Sequence, residues 1–166
     1  MVKCQLSPPL AENVRHESRL RGFSVIEILI ALAIVIGLST LTLIALNPPG
    51  QLGKSRNTQR KADIGIILNA VAENTVDNLG TFSCSSGAIP TSTKRMASST
   101  GNYNIAPCLV TTYLESLPFD PATTSVRWKS VTDYDTGYSI LKNATTGRIT
   151  VSAPAAELGE TISITR

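Results

Sequence analysis

Arg21-Gly22-Phe23-Ser24-Val25-Ile26-Glu27 runs directly into Ile28-Leu29-Ile30-Ala31-Leu32-Ala33-Ile34-Val35-Ile36-Gly37-Leu38. From Val25 to Leu46 nearly every residue is apolar, and Glu27 carries the only charge. At about 1.5 Å per residue, a helix over that stretch is about 33 Å long, enough to cross a bilayer core. Ile, Val and Leu occupy every face, so the stretch reads as a membrane helix and not an amphipathic one. A carboxylate that reaches the bilayer centre costs about 2.5–3.5 kcal/mol, so Glu27 calls for a partner or a place at the helix edge.

Working outward, residues 1–22 are polar, contain Pro8-Pro9 and end in a basic cluster. They lack the apolar core that a secretory signal carries ahead of its cleavage site. A cut at the Gly22-Phe23 junction would therefore leave the apolar run in the mature chain. Arg15, Arg19 and Arg21 precede the run and Lys54, Arg56, Arg60 and Lys61 follow it, so the positive-inside count does not orient the helix. Asn47-Pro48-Pro49-Gly50 interrupts or kinks it, because two prolines remove donors and crowd the preceding turn. Helical character then resumes. Ile64, Ile67, Leu68, Val71 and Ala72 have the spacing of one buried face, and Lys54, Arg56, Arg60, Lys61, Asp63, Glu73 and Asp77 are assigned to the wet faces. Asn78 and Gly80 predict the helix stop.

Residues 81–107, rich in Ser, Thr, Gly and Pro, read as a long loop. The three cysteines are Cys4, Cys84 and Cys108. Loss of the N-terminal segment would leave Cys84 and Cys108 as a candidate pair, with two free thiols in a reduced protein as the alternative. Such a pair would favour residues 47–166 outside the cytoplasm. Leu109 to Leu117 is read as a short helix stopped by Pro118, and Leu117-Pro118-Phe119-Asp120-Pro121 as a rigid turn. Short β-like runs follow at Val126–Val131, Tyr138–Leu141, Arg148–Val151 and Thr161–Thr165, with a hairpin signal at Asn143–Gly147. The fold class expected is α+β: a long N-terminal helix, membrane-spanning in its first half and amphipathic in its second, packed on a small antiparallel β-sheet.

The 166 residues carry a net charge of +3. Lys3, Arg15, Arg19 and Arg21 against Glu12 and Glu17 account for +2 of it, which leaves +1 for residues 23–166. A near-neutral body gives little support for a nucleic-acid binder, although the Lys54–Lys61 stretch and Lys94-Arg95 keep that partner on the list of alternatives. The only histidine, His16, would leave with the N-terminal segment, so no histidine base, triad or metal ligand would remain. No phosphate-binding Gly-rich loop or Cys/His metal spacing is present in the sequence. Neither an enzyme nor a cofactor or metal is expected.

Gly22-Phe23-Ser24-Val25-Ile26-Glu27 ahead of an apolar helix resembles the processing site of type IV prepilins and type II secretion pseudopilins. The downstream order is similar to that family as well: bent helix, variable loop, Tyr113-Leu114 leading to Leu117–Pro121, then an antiparallel sheet. The resemblance implies three parts: a prepilin leader at 1–22, a transmembrane assembly helix at 23–46 and an extracytoplasmic pilin-like domain at 47–166. It further implies that a membrane-embedded prepilin peptidase cuts between Gly22 and Phe23 and methylates the new N-terminus at Phe23. Glu27 is then the fifth mature residue and the family's assembly glutamate, offered to the amine of a neighbouring copy. The partners implied are other copies or related pilin subunits, the peptidase, the inner-membrane assembly machinery and membrane lipid. The location implied is the cytoplasmic (inner) membrane, single-pass, and then a filament. The leader is longer than the short ones of the family. Asp133 and Asp135 stand where major secretion pseudopilins carry an acidic calcium loop, and a lone pair of aspartates in a turn is read as ordinary turn chemistry.

Two functions follow. One is a structural subunit of a pilus or secretion pseudopilus. The other is a single-pass anchored binding or adhesion module, or a DNA-uptake minor pilin, that does not build the main filament.

Overall fold

A computed structural model describes residues 22–166, with the backbone alone at residues 43–46. Residues 1–21, including Cys4 and His16, lie outside the described residues. The chain divides into an apolar helical unit ending at Ala45 and a unit from Leu46 to Arg166.

The first unit holds α1, Val25–Leu46, which is long and apolar enough to cross a membrane. Its leucines and isoleucines from Ile26 to Leu41 are exposed, Ile36 at 67% for example. The helix ends where the sequence demands. Asn47 takes a left-handed conformation at φ 43°, and Pro48 opens the next helix. Proline suits a first turn because its missing N–H would have no intrahelical acceptor there.

That next helix, α2, spans Pro48–Asp77. Its buried stripe runs Gly53, Asn57, Arg60, Ile64, Ile67, Val71 and Asn74, steps of alternating four and three residues. The apolar middle matches the expected face at Ile64, Ile67, Leu68 and Val71, but Ala72 is exposed and Ala70 is buried in its stead. The polar end does not: Arg60 and Asp63, assigned to water from composition, are buried at 0% and 7% exposure. Arg60 continues the stripe one turn before Ile64 and Asp63 lies on its flank one turn before Ile67, where the geometry of the helix outranks the polarity of the side chain.

The sheet has five antiparallel strands: β1 Lys94–Ala97, β2 Arg127–Ser130, β3 Asp133–Lys142, β4 Ile149–Ala153 and β5 Ile162–Thr165. The order is β1-β3-β4-β5, and β2 also pairs with β3. At ten residues β3 serves three partners, pairing between Asp135 and Ile140 with β1, through Asp133–Asp135 with β2 and through Ser139–Lys142 with β4. Gly137 sits between those stretches at φ 78°, and a Cβ there would lie 2.9 Å from Val126 Cγ1 and 3.0 Å from Asp120 Cβ. Only glycine allows both the turn of the backbone and that approach. Helix α2 packs on β4, β5 and the short helix α3, Ala106–Leu109. Ile64, Ile67 and Val71 meet Tyr138, Ile140, Val151 and Ile162 in one core. Full burial of each aliphatic side chain contributes roughly 1.5–3 kcal/mol.

Three local expectations need correction. Residues 81–107 are not a continuous loop, since β1 forms inside them and completes one edge of the sheet. A Lys-Arg pair opens that strand, and its pairing with β3 is a long-range contact that local sequence does not signal. The short helix lies at Ala106–Leu109 and not at Leu109–Leu117, because Thr111 turns at φ 77° after it. Asp133 and Asp135 stand on β3, not in a turn.

The C-terminus of α2 closes with Gly80 N donating to Thr75 O at 2.8 Å and Leu79 N to Val76 O at 3.3 Å. This paired closure places the left-handed residue at Leu79, φ 56°, a position glycine usually fills. A side chain there stores roughly 1 kcal/mol of strain, and Leu79 is 98% exposed, so no packing compensates. Leu79→Gly is expected to raise the melting temperature, with a gain of roughly 0.5–1 kcal/mol after the entropy of the added glycine is counted. A lower melting temperature in the same thermal scan would contradict that account.

Candidate functional site

At the N-terminal segment, Gly22 and Phe23 are exposed and precede the helix. Ser24 O accepts the first turn's amides, from Glu27 at 3.0 Å and from Ile28 at 3.2 Å. Glu27 thus lies in the first turn of α1, where its negative charge is favoured by the unpaired N–H groups of the helix end. It has no ion-pair partner among the described residues. An exposed carboxylate in the first turn of an apolar helix, with no ion-pair partner among the described residues, is chemically able to receive a cation.

In the second unit, the 117–121 turn, α2 and the β4–β5 connection converge on Arg60. Its Nε and Nη2 donate to Asp120 at 2.7 and 3.0 Å, and its Nη1 donates to Glu157 at 2.9 Å and to Asn57 Oδ1 at 2.8 Å. Arg56 adds a two-point contact to Glu157 at 2.6 and 2.7 Å. Asn57 exchanges two hydrogen bonds with the Glu157 backbone, at 2.8 and 3.0 Å. Asp120 also receives the amides of Ala122 and Thr123 at 2.9 and 3.2 Å. The side chains of Arg60 and Asp120 are fully buried. Burial, the largest single influence, pushes the Asp120 carboxyl up, but the hydrogen bonds from Arg60, Ala122 and Thr123 and the charge of Arg60 together outweigh it, and the net shift is downward. The hydrogen bonds of Arg56 and then Arg60 hold Glu157 down at about 2.

Beside this cluster Tyr138 donates to Asp63 at 2.7 Å. Asp63 is raised, by burial first, and it has no cation partner among the described residues. The cluster is a polar staple, since each carboxylate in it is already engaged and faces no open cleft.

Cys84 and Cys108 form a disulfide with Cα atoms 5.1 Å apart. Closing that loop stabilises by roughly 3 kcal/mol in the chain-entropy model. Asn74, at the end of the buried stripe, grips both of its flanks, donating to Ser83 O at 3.1 Å and Cys108 O at 3.3 Å. Asp133 is bonded by Arg127 at 2.6 Å and Asp135 by Arg95 at 2.6 Å, so each of these aspartates already has its own cation. Sequence reasoning missed the joining of Arg60, Asp120 and Glu157. The available signal was that Arg60 lies four residues before Ile64, in phase with the buried face.

No protein-family model, curated protein or solved structure matches the chain.

Removing Arg60 would leave Asp120 buried without its cation. Arg60→Met is therefore expected to cost about 3–5 kcal/mol in urea denaturation. A loss under about 1 kcal/mol would mean that the pair is not enclosed as described. The acid limb tests the staple by sign. Glu157 and Asp120 are lowered, so their contribution is present above the ordinary carboxylate range and is lost as pH falls through their folded values. Asp63 is raised, so it opposes folding at about pH 7 and ceases to do so once protonated. Asp63→Asn is expected to melt above the parent at about pH 7, with the two curves converging near about pH 3. A variant that melts lower at both pH values would show that the ionised carboxylate is needed.

Proposed function

We propose that this chain is a structural subunit of a type IV pilus-like or type II secretion pseudopilus filament. The observation that carries the reading is a single carboxylate, Glu27, in the first turn of a 22-residue apolar helix directly behind Gly22-Phe23. In this reading a prepilin peptidase cuts after Gly22, and Phe23 becomes the methylated N-terminus. The mature chain sits as a single-pass protein in the inner membrane, with residues 47–166 on the extracytoplasmic side. The disulfide Cys84–Cys108 supports that side, since such bonds persist in oxidising compartments.

Assembly then follows from charge. Cleavage creates an amine at Phe23 that stays protonatable after methylation. Glu27 lies about one helical turn along, so a copy displaced along the axis brings its amine to this carboxylate. Pairing offsets the burial cost of both charges inside a bundle of apolar helices. Apolar packing supplies most of the adhesion, and the charge pair selects the axial step. The inner-membrane assembly machinery, related pilin subunits and membrane lipid are the remaining partners of this reading.

Glu27→Leu separates a filament subunit from a simple anchor. A subunit carrying it is expected to reach the membrane at parent levels yet enter pelletable filaments at least about tenfold less, the scale of one lost desolvated charge pair. Filament incorporation equal to the parent would eliminate the charge-register mechanism.

A further inference from the structure

The connection between β4 and β5 lies against the first turns of α2. In it Glu160 N donates to Glu157 O at 3.1 Å, and both residues this turn encloses are left-handed, Leu158 at φ 58° and Gly159 at φ 70°. Such a turn favours Asn or Gly at its first central position, because a Cβ crowds the backbone there. The chain carries a leucine instead, 60% exposed. That leucine rests on Gly53, where an added Cβ would lie 3.2 Å from Leu158 Cγ. Leu52, next to Gly53 in the helix, is 59% exposed. Two large apolar side chains are thus displayed at one level of α2, one of them on a strained backbone.

Their setting is basic. Arg56, Arg60 and Lys61 are answered by Glu157, Asp120 and Glu160. Lys54 is exposed and forms no ion pair among the described residues. Glu160, an acid its charge reaches, is already bonded to Lys61 at 2.8 Å. Chain length bounds where this surface can be. Helix α1 ends at Leu46 and α2 begins at Pro48. Two extended steps and four helical ones keep Leu52 within about 13 Å of Leu46, whatever angle the helices make. When a helix of about 33 Å crosses a hydrocarbon core of about 30 Å, its end stands at the core's edge, so Leu52 is within reach of the headgroups.

We infer that Leu52, Leu158 and Lys54 form a contact with anionic phospholipid: the two leucines enter the headgroup region, and the Lys54 ammonium takes a lipid phosphate. The inference rests on the single-pass reading, which brings α1 into a bilayer, and is independent of whether the chain then builds a filament. Apolar insertion and attraction to anionic headgroups reinforce each other at an interface. The contact holds the second unit on the membrane surface, and a chain that leaves the bilayer gives it up.

Quenching by a headgroup nitroxide tests this in the full-length chain reconstituted into phosphatidylethanolamine vesicles containing phosphatidylglycerol. Thr161→Cys beside the leucine turn and Thr145→Cys at the far end of β4, each in the Cys4→Ser chain, carry a fluorophore on the new thiol and leave the Cys84–Cys108 bond intact. Quenching at position 161 is expected to exceed that at 145 by about threefold or more, and to fall to the level at 145 in the Leu52→Gln, Leu158→Asn chain. Asparagine suits the left-handed turn, so a melting temperature no lower than the parent's separates lost insertion from lost folding. Lys54→Glu, or vesicles of phosphatidylcholine alone, is expected to reduce the excess by about twofold or more. Equal quenching at the two positions, or no response to the leucine or the charge changes, would overturn the inference while leaving the single-pass reading in place. A parent chain that does not float with the vesicles would overturn both. Loss of cross-linking between copies in the leucine variant, with quenching unchanged, would assign the patch to a second copy and overturn the inference alone.

Discussion

The enclosed pair of Arg60 and Asp120, 2.7 Å apart with both side chains at 0% exposure, is the constraint on which the second unit depends. A buried guanidinium without a carboxylate costs several kcal/mol, so the 117–121 turn must come to α2 at one point only. Pro118 and Pro121 flank Asp120 and limit the conformations of that turn. Gly137 lets the Asp120 backbone approach β3, where Asp120 N donates to Thr136 O at 2.9 Å. Glu157 closes the other side and carries the β4–β5 connection to the same guanidinium. Gly53 gives room for Leu158, whose Cγ would lie 3.2 Å from an added Cβ. One cation thus ties three chain segments that are far apart in sequence, and the apolar core behind it supplies the adhesion.

What the sequence disclosed follows the range of each interaction. The apolar run from Val25, the break at Asn47-Pro48 and the Ile64–Val71 face are local patterns, and each is found where its periodicity or its prolines require. The hairpin at Asn143–Gly147 is also local, with Asn143 Oδ1 accepting from Thr145 and Thr146 at 2.9 Å each. Strand β1 was not legible, because Lys94-Arg95-Met96-Ala97 lacks a strand pattern and pairs with a segment about forty residues away. Arg60 was misassigned because composition speaks for the side chain, whereas its phase on the helix speaks for its place. Asp63 was misassigned for the same reason. At the N-terminal segment the residues Gly22, Phe23 and Glu27 are legible as a motif, and under the proposed function their partner is a second molecule, so one chain would display only half of the interaction.

The two units divide the work physically. In α1 a single acid stands in an apolar helix whose described side chains are exposed. In the second unit the buried Arg60 and Asp120 answer each other, while the buried Asp63 is held by Tyr138 alone. Charges left without partners in an otherwise well-paired protein are where a second molecule would be selected. On this account the partner of Glu27 does not exist until the leader is removed, so processing itself switches assembly on.

The most direct test of that claim is the intact mass and N-terminal sequence of the chain purified from membranes. The account predicts a chain that begins at Phe23 and carries one added methyl group on its amine. A chain that retains Gly22 and the residues before it, or one that begins elsewhere within the apolar helix, would contradict the account at its root.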